Sequence, residues 1–173
     1  KPLLEPVLDF LQIPMSDFSA GSRSEPPLLT LAGHPAGISI CYEDAFADEV
    51  AEALPAAAFL VNASNDAWFG DSLAPHQHLE IARTRAKGTG RYLLRATNTG
   101  ISAVIGPSGD IAAQTKLFER AVLTADITPL AGATPYVRLG NAAPVAISLL
   151  MVMVGVAAGR RGRMRGMSNE APR

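Results

Sequence analysis

The chain has 173 residues, with 15 basic and 16 acidic side chains, enough for one substantial domain and too few for two large ones. Its near-neutral balance gives no general reason to expect a nucleic-acid partner, although Arg160, Arg161, Arg163 and Arg165 crowd near the end and leave everything before them net acidic. A lone cysteine excludes an internal disulfide, and without a CxxC or Cys/His cluster neither a metal nor any other cofactor is expected.

Leu3, Leu4, Val7, Leu8 and Leu11 have helical spacing and Pro14 stops them, while Met15 to Pro27 is rich in Ser, Gly and Pro and reads as a loop. Leu28–Leu31 is a short strand, and Gly37–Ile40 is a strand leading into Cys41. Beyond the thiol, Phe46, Val50 and Leu54 recur at i+4, which predicts an amphipathic helix from Glu43 to Leu54, ended by Pro55. A thiol delivered to a helix N-terminus is favoured as a nucleophile, because free N–H groups and the helix dipole stabilise the thiolate. The competing reading of Cys41 is a small buried hydrophobe.

Ala57–Val61 is a continuous apolar run of strand length, consistent with a strand covered on both faces. It ends in Asn62-Ala63-Ser64-Asn65-Asp66 and continues into Ala67-Trp68-Phe69-Gly70-Asp71. His76–Lys87 is a helix with an apolar face of Leu79, Ala82 and Ala86, closed by Gly88 and Gly90. Strands follow at Tyr92–Ala96, Ile101–Ile105, Ile111–Thr115 and Val122–Ile127, with Pro107-Ser108-Gly109-Asp110 as the hairpin turn. Strands interleaved with two helices, then antiparallel strands, predict a covered α/β sandwich.

From Ala142 to Ala158 there is no charged residue and the only polar side chain is Ser148; Leu139 to Gly159 extends the uncharged stretch to about the typical 20 residues of a membrane-spanning helix. The alternative is a buried core helix. An all-round apolar character and the arginine cluster that follows favour the span. By the positive-inside rule those arginines stay cytoplasmic and residues 1 to 138 lie across the membrane.

Ile40-Cys41-Tyr42-Glu43 resembles the nucleophile segment of the nitrilase (carbon–nitrogen hydrolase) superfamily. The long stretch Asn62 to His78 is similar to a narrower group within it, the bacterial apolipoprotein N-acyltransferases, as are Glu80–Arg83, Arg91–Gly100 and Gly132-Ala133-Thr134-Pro135-Tyr136 before a terminal apolar helix. The resemblance implies a nitrilase-like αββα sandwich, of which residues 1-138 are the C-terminal part, then a transmembrane helix at 139-159 and a basic cytoplasmic tail at 160-173. It implies a multi-pass protein of the bacterial inner membrane, with its catalytic domain on the periplasmic face. It also implies transfer of a fatty acyl group from a phospholipid donor, through a cysteine thioester, to the N-terminal amine of an apolipoprotein's diacylglyceryl-cysteine. Such a cycle suits a thiolate nucleophile.

By the same resemblance Cys41 is the nucleophile of a Glu–Lys–Cys triad whose Glu and Lys lie N-terminal to it, in segments not found here. Lys1 is followed at once by Pro2-Leu3-Leu4 and does not match; Lys87 and Lys116 stand in no matching motif. The chain begins with Lys1, without a signal-peptide layout, and reads as a fragment that is inactive alone. Glu43 is either a first-turn acid suited to the helix dipole or, by the resemblance, an acid that orients the site. Tyr42 is a pocket wall or plain packing. Trp68 and Phe69 read as a lid or pocket wall contacting the lipid substrate. His76 and His78 invite a Cys–His dyad, but capping or packing is the expectation, and Asn65 and Asp66 are read as shaping the turn. Two other functions fit the residues: a membrane-tethered amidase acting on a small C–N substrate, and a non-enzymatic anchored scaffold.

Overall fold

The computed structural model describes residues 26–168, with side chains up to Val156; the expected helix over residues 3–13 and nearly all of the loop after it lie outside that range. Six strands form one sheet in sequential order: β1 (Leu28–Leu31), β2 (His34–Ile40), β3 (Phe59–Ser64), β4 (Leu93–Thr97), β5 (Ala103–Ile105) and β6 (Ile111–Gln114). The central β2–β3 and β3–β4 pairs are parallel, and the outer pairs are antiparallel. Parallel neighbours need crossovers, and both carry helix across the same face of the sheet. The first crossover holds a 3-10 turn, Cys41–Ala45, and α1 (Ala47–Ala51); the second holds α2 (Ala74–Thr89). The β5–β6 hairpin forms at the expected turn, where Gly109 has the positive φ of 86° that favours glycine.

The helices cover a core of Val50, Ala53, Leu60, Leu79, Ala82, Ala86, Leu93 and Ile105. Large side chains such as Leu60, Leu93 and Ile105 each contribute about 1.5–3 kcal/mol by leaving water. Gly37 allows the α1 segment to approach, since a Cβ there would lie 2.7 Å from Ala53 Cβ and 2.8 Å from Leu60 Cδ2. The opposite face of the sheet carries Ile38, Val61 and Leu94, all only partly buried around Ala36, Ala58 and Phe59. The described residues thus form one sheet and one helical layer.

Two expectations need correction. The helix Glu43–Leu54 is broken: Phe46 takes extended dihedrals (φ −94°, ψ 94°) between the 3-10 turn and α1. Asp44, Val50 and Ala53 are all buried, yet an unbroken helix would set Asp44 about 120° from Val50 and about 180° from Ala53. The break lets all three face inward. Val122–Ile127 is not a strand: it joins no ladder among the described residues. Ala121, Leu123, Thr124 and Ala125 instead line a cleft with Val61 and Leu94 on the outer face, and Ile127 packs there.

Beyond the sheet the chain is stitched back to the helical layer. Arg91 Nε donates to the Ala57 carbonyl at 2.7 Å and Nη2 to that of Gly132 at 2.6 Å. Thr134 caps α3 (Pro135–Leu139) and its hydroxyl donates to the Gly88 carbonyl at 2.6 Å. After Gly140, Asn141 donates to the Asp48 carboxylate of α1 at 3.2 Å, and α4 (Ala142–Ser168) begins. The stretch expected as one span from Leu139 therefore starts in two pieces, broken at Gly140. Val145, Ile147 and Leu149 to Val154 are all more than half exposed. Among the described residues, no helix is long and apolar enough to cross a membrane.

Candidate active site

Cys41 stands where β2 ends, half-buried, with its backbone in the left-handed region at φ 53°. A non-glycine residue there costs about 1–3 kcal/mol and persists only where its surroundings enforce it. Three observed restraints do so. Glu43 Oε2 accepts from the Ile40 N–H at 2.6 Å, closing the turn from outside. Asn62 Nδ2 donates to the Cys41 carbonyl at 3.0 Å and to Ser39 Oγ at 3.0 Å. Asp44, in the same turn, reaches into the core.

The sheet register explains the inner restraints. Ser39 on β2 pairs with Asn62 on β3, and Asn62 pairs with Arg95 on β4, so one polar row crosses the three parallel strands on the helix-facing side. Arg95 Nη1 donates to Asn62 Oδ1 at 3.1 Å and to Asp44 Oδ2 at 3.3 Å; Nη2 donates to Asp66 Oδ2 at 2.9 Å. His78 closes the ring from α2, with Nε2 3.1 Å from Asp44 Oδ1 and Nδ1 3.0 Å from Asp66 Oδ1. Ser64 Oγ also donates to Asp66 Oδ1, at 2.7 Å. All four ring members are at most 3% exposed.

Burial disfavours a charged His78, and the nearby Arg95 does too. The hydrogen bond that His78 donates to Asp44 and the charges of Asp44 and Asp66 outweigh them, so its pKa is raised. With both nitrogens committed to carboxylates, His78 has no lone pair to offer the thiol, and the Cys–His dyad is not formed. Asp66 does more than shape a turn; Asn65 does serve the loop, its Oδ1 accepting from the Ala67 N–H at 3.1 Å and from Asn98 at 2.6 Å.

Tyr42 is exposed, edge-on to Phe46 at 6.2 Å between ring centroids and 5.8 Å from the His78 ring. Tyr42, Phe69 and Leu73 line one cleft of about 690 Å³ along α2, which also takes in His76 and Ile81. Trp68, beside Phe69 in a 3-10 turn, is 87% exposed and does not line that cleft. The structure therefore brings Cys41, Tyr42, Glu43 and Phe69 to one end of the sheet and leaves Trp68 projecting from it. Lys87 lies beside Gly109, near the β5–β6 turn, and Lys116 follows β6.

Asp44, Asn62 and Arg95 were not singled out in the sequence. A signal existed: Arg95 alternates with Leu94 on a strand, at the inward position after Leu93, and His78 falls on the stripe of Ala82 and Ala86.

The sequence model of the carbon-nitrogen hydrolases matches residues 3–136. The chain belongs to the carbon-nitrogen hydrolase family. Among curated relatives, it is 52% identical over 163 residues to the apolipoprotein N-acyltransferase of Methylococcus capsulatus, covering 94% of this chain and 32% of that protein. To the enzyme of the same name from Nitrosomonas europaea it is 47% identical, over 95% of this chain and 33% of that protein. The chain thus spans about a third of the length of these relatives. Among solved structures, an amidase from Nesterenkonia sp. aligns at 23% identity with a TM-score of 0.45, over 58% of this chain and 40% of that one.

Proposed function

We propose that this chain is the C-terminal part of the catalytic domain of an apolipoprotein N-acyltransferase, with Cys41 as the acyl carrier. The observation that carries this reading is the 52% identity over 163 residues, a stretch too long to leave out Cys41. In the first half-reaction the Cys41 thiolate attacks the ester carbonyl of a phospholipid. A C–S bond forms, the ester C–O bond breaks, and the lysophospholipid oxygen leaves with a proton. In the second, the α-amine of a diacylglyceryl-cysteine attacks the thioester. A C–N bond forms, the C–S bond breaks and the thiol is regenerated.

Each site residue then has a task. Glu43 holds the Ile40 N–H and orients the turn. Tyr42, Phe69 and Leu73 give their cleft an apolar wall that suits an acyl chain, and exposed Trp68 suits contact with lipid at the membrane surface. The general base and the oxyanion-stabilising lysine are supplied from outside the described residues. A preorganised donor at the oxyanion is worth about 2.7–4 kcal/mol.

In this reading α4 is the anchor. Its described apolar part, Ala142 to Val156, is exposed and measures about 22 Å, short of the hydrocarbon core of about 30 Å. The uncharged part of α4 runs on from Ala142 to Gly159, about 27 Å of helix, which supports an anchor close to a full span. The arginines from Arg160 to Arg165 would then mark the cytoplasmic side, with the catalytic layer outside the inner membrane.

The test uses the full-length protein in phospholipid vesicles with a diacylglyceryl-cysteine peptide. The peptide should gain one acyl chain on its amine, and Cys41→Ala should abolish the gain. Transfer that survives Cys41→Ala, or hydrolysis of small amides with no acyl transfer, contradicts the proposal.

A further inference from the structure

We infer that His78 is a positioning residue for Cys41: held between Asp44 and Asp66 as an imidazolium, it locks the turn that presents the thiol. The inference rests on reading Cys41 as the nucleophile. Its basis is the closed ring. Each imidazole nitrogen lies 3.0–3.1 Å from a carboxylate oxygen. An ionised carboxylate only accepts hydrogen bonds. A neutral imidazole has one N–H, so its other nitrogen would turn a lone pair on a carboxylate inside the core. The doubly protonated ring satisfies both. It also balances charge, with Asp44 and Asp66 set against Arg95 and His78.

Two links carry this state to the thiol. Asp44 belongs to the turn that Cys41 begins, and its two oxygens are held by His78 and Arg95. Arg95 also holds Asn62 Oδ1, which aims the amide of Asn62 at the Cys41 carbonyl. The groups facing His78 are Asp44 and the Tyr42 ring from the turn, Asp66 from the loop after β3, and Arg95, which shares both aspartates, from β4. When His78 loses its proton, one aspartate loses a donor and two buried carboxylates face a single guanidinium. The hold on Asp44, one of the three restraints on the turn's left-handed start, then weakens, and Cys41 should lose part of its presentation.

The experiment measures alkylation of Cys41 by iodoacetamide in the full-length protein, from mildly acidic to alkaline pH, alongside acyl transfer. The rate, taken relative to that of a small-molecule thiol at each pH, should fall as His78 deprotonates, within the range where the protein still melts cooperatively. His78→Gln should slow alkylation about tenfold or more in mild acid and abolish the alkaline fall. Acyl transfer should lose kcat while KM for phospholipid holds. A His78→Gln protein with the native rate and pH profile overturns the inference. So does an unmodified protein whose relative rate stays level across that range, whether or not the variant folds. Alkylation that follows His78 in a protein that never transfers acyl groups supports this inference and sinks the acyltransferase reading alone.

Discussion

The side-chain amide of Asn62 donates to the backbone carbonyl of Cys41 at 3.0 Å. That bond ties a central parallel strand to the first residue of the turn carrying the thiol. Replacing Asn62 with Leu keeps the bulk but leaves the Cys41 carbonyl and one Arg95 donor short of a partner. Urea unfolding should show a loss of about 1–3 kcal/mol. Alkylation of Cys41 should slow by about tenfold to a hundredfold, because reactivity is sensitive to small misplacements.

Stability should depend on pH through His78. Its folded pKa is raised, so its contribution is fully present below the unfolded value of about 6.5 and is lost as pH climbs through the higher folded value. Melting temperature should therefore fall from neutral to alkaline pH. Differential scanning calorimetry of His78→Gln should show a flatter profile in that range, and an equal slope would argue against the charged ring.

Arg95 meets Asp44 through Nη1 and Asp66 through Nη2, a fork that lysine does not reproduce. Arg95→Met should cost about 3–5 kcal/mol, because two carboxylates remain buried without their counter-charge. Arg95→Lys should fall between native and Met in chemical denaturation. Full stability in Arg95→Lys would mean that charge alone, without the fork, holds the ring.

How much of this was legible beforehand follows from distance along the chain. Cys41 at the end of a strand, α2 and the β5–β6 hairpin are local patterns, and each appears close to its expected place. The ring is not local: Asp44, Asp66, His78 and Arg95 come from a turn, a loop, a helix and a strand, and no spacing announces that they meet. Phe46 carried the i+4 rhythm of a helix with Val50 and Leu54, yet the inward turn of Asp44 overrode that rhythm. Val122–Ile127 has the apolar content of a strand, but it lies across the outer face instead of pairing with an edge. The helix-dipole argument for the thiol weakens in consequence, since Cys41 heads a single five-residue turn; its restraints are hydrogen bonds.

Gly100 tests the packing on the far side of the ring. A Cβ at this position would fall on the Asp66 carboxylate, 2.8 Å from its Cγ. Gly100→Ala should therefore destabilise by about 1–3 kcal/mol, read by chemical denaturation, and should slow Cys41 alkylation with it. A neutral effect on both would show that Asp66 has room to move.

Cys41 as acyl carrier is the central claim, and intact-protein mass spectrometry addresses it most directly. Full-length protein incubated with phospholipid, without an acceptor, should gain the mass of one fatty acyl group, released by hydroxylamine and mapped to Cys41. An acyl group on any other residue, or no covalent adduct while transfer to an acceptor proceeds, would contradict it.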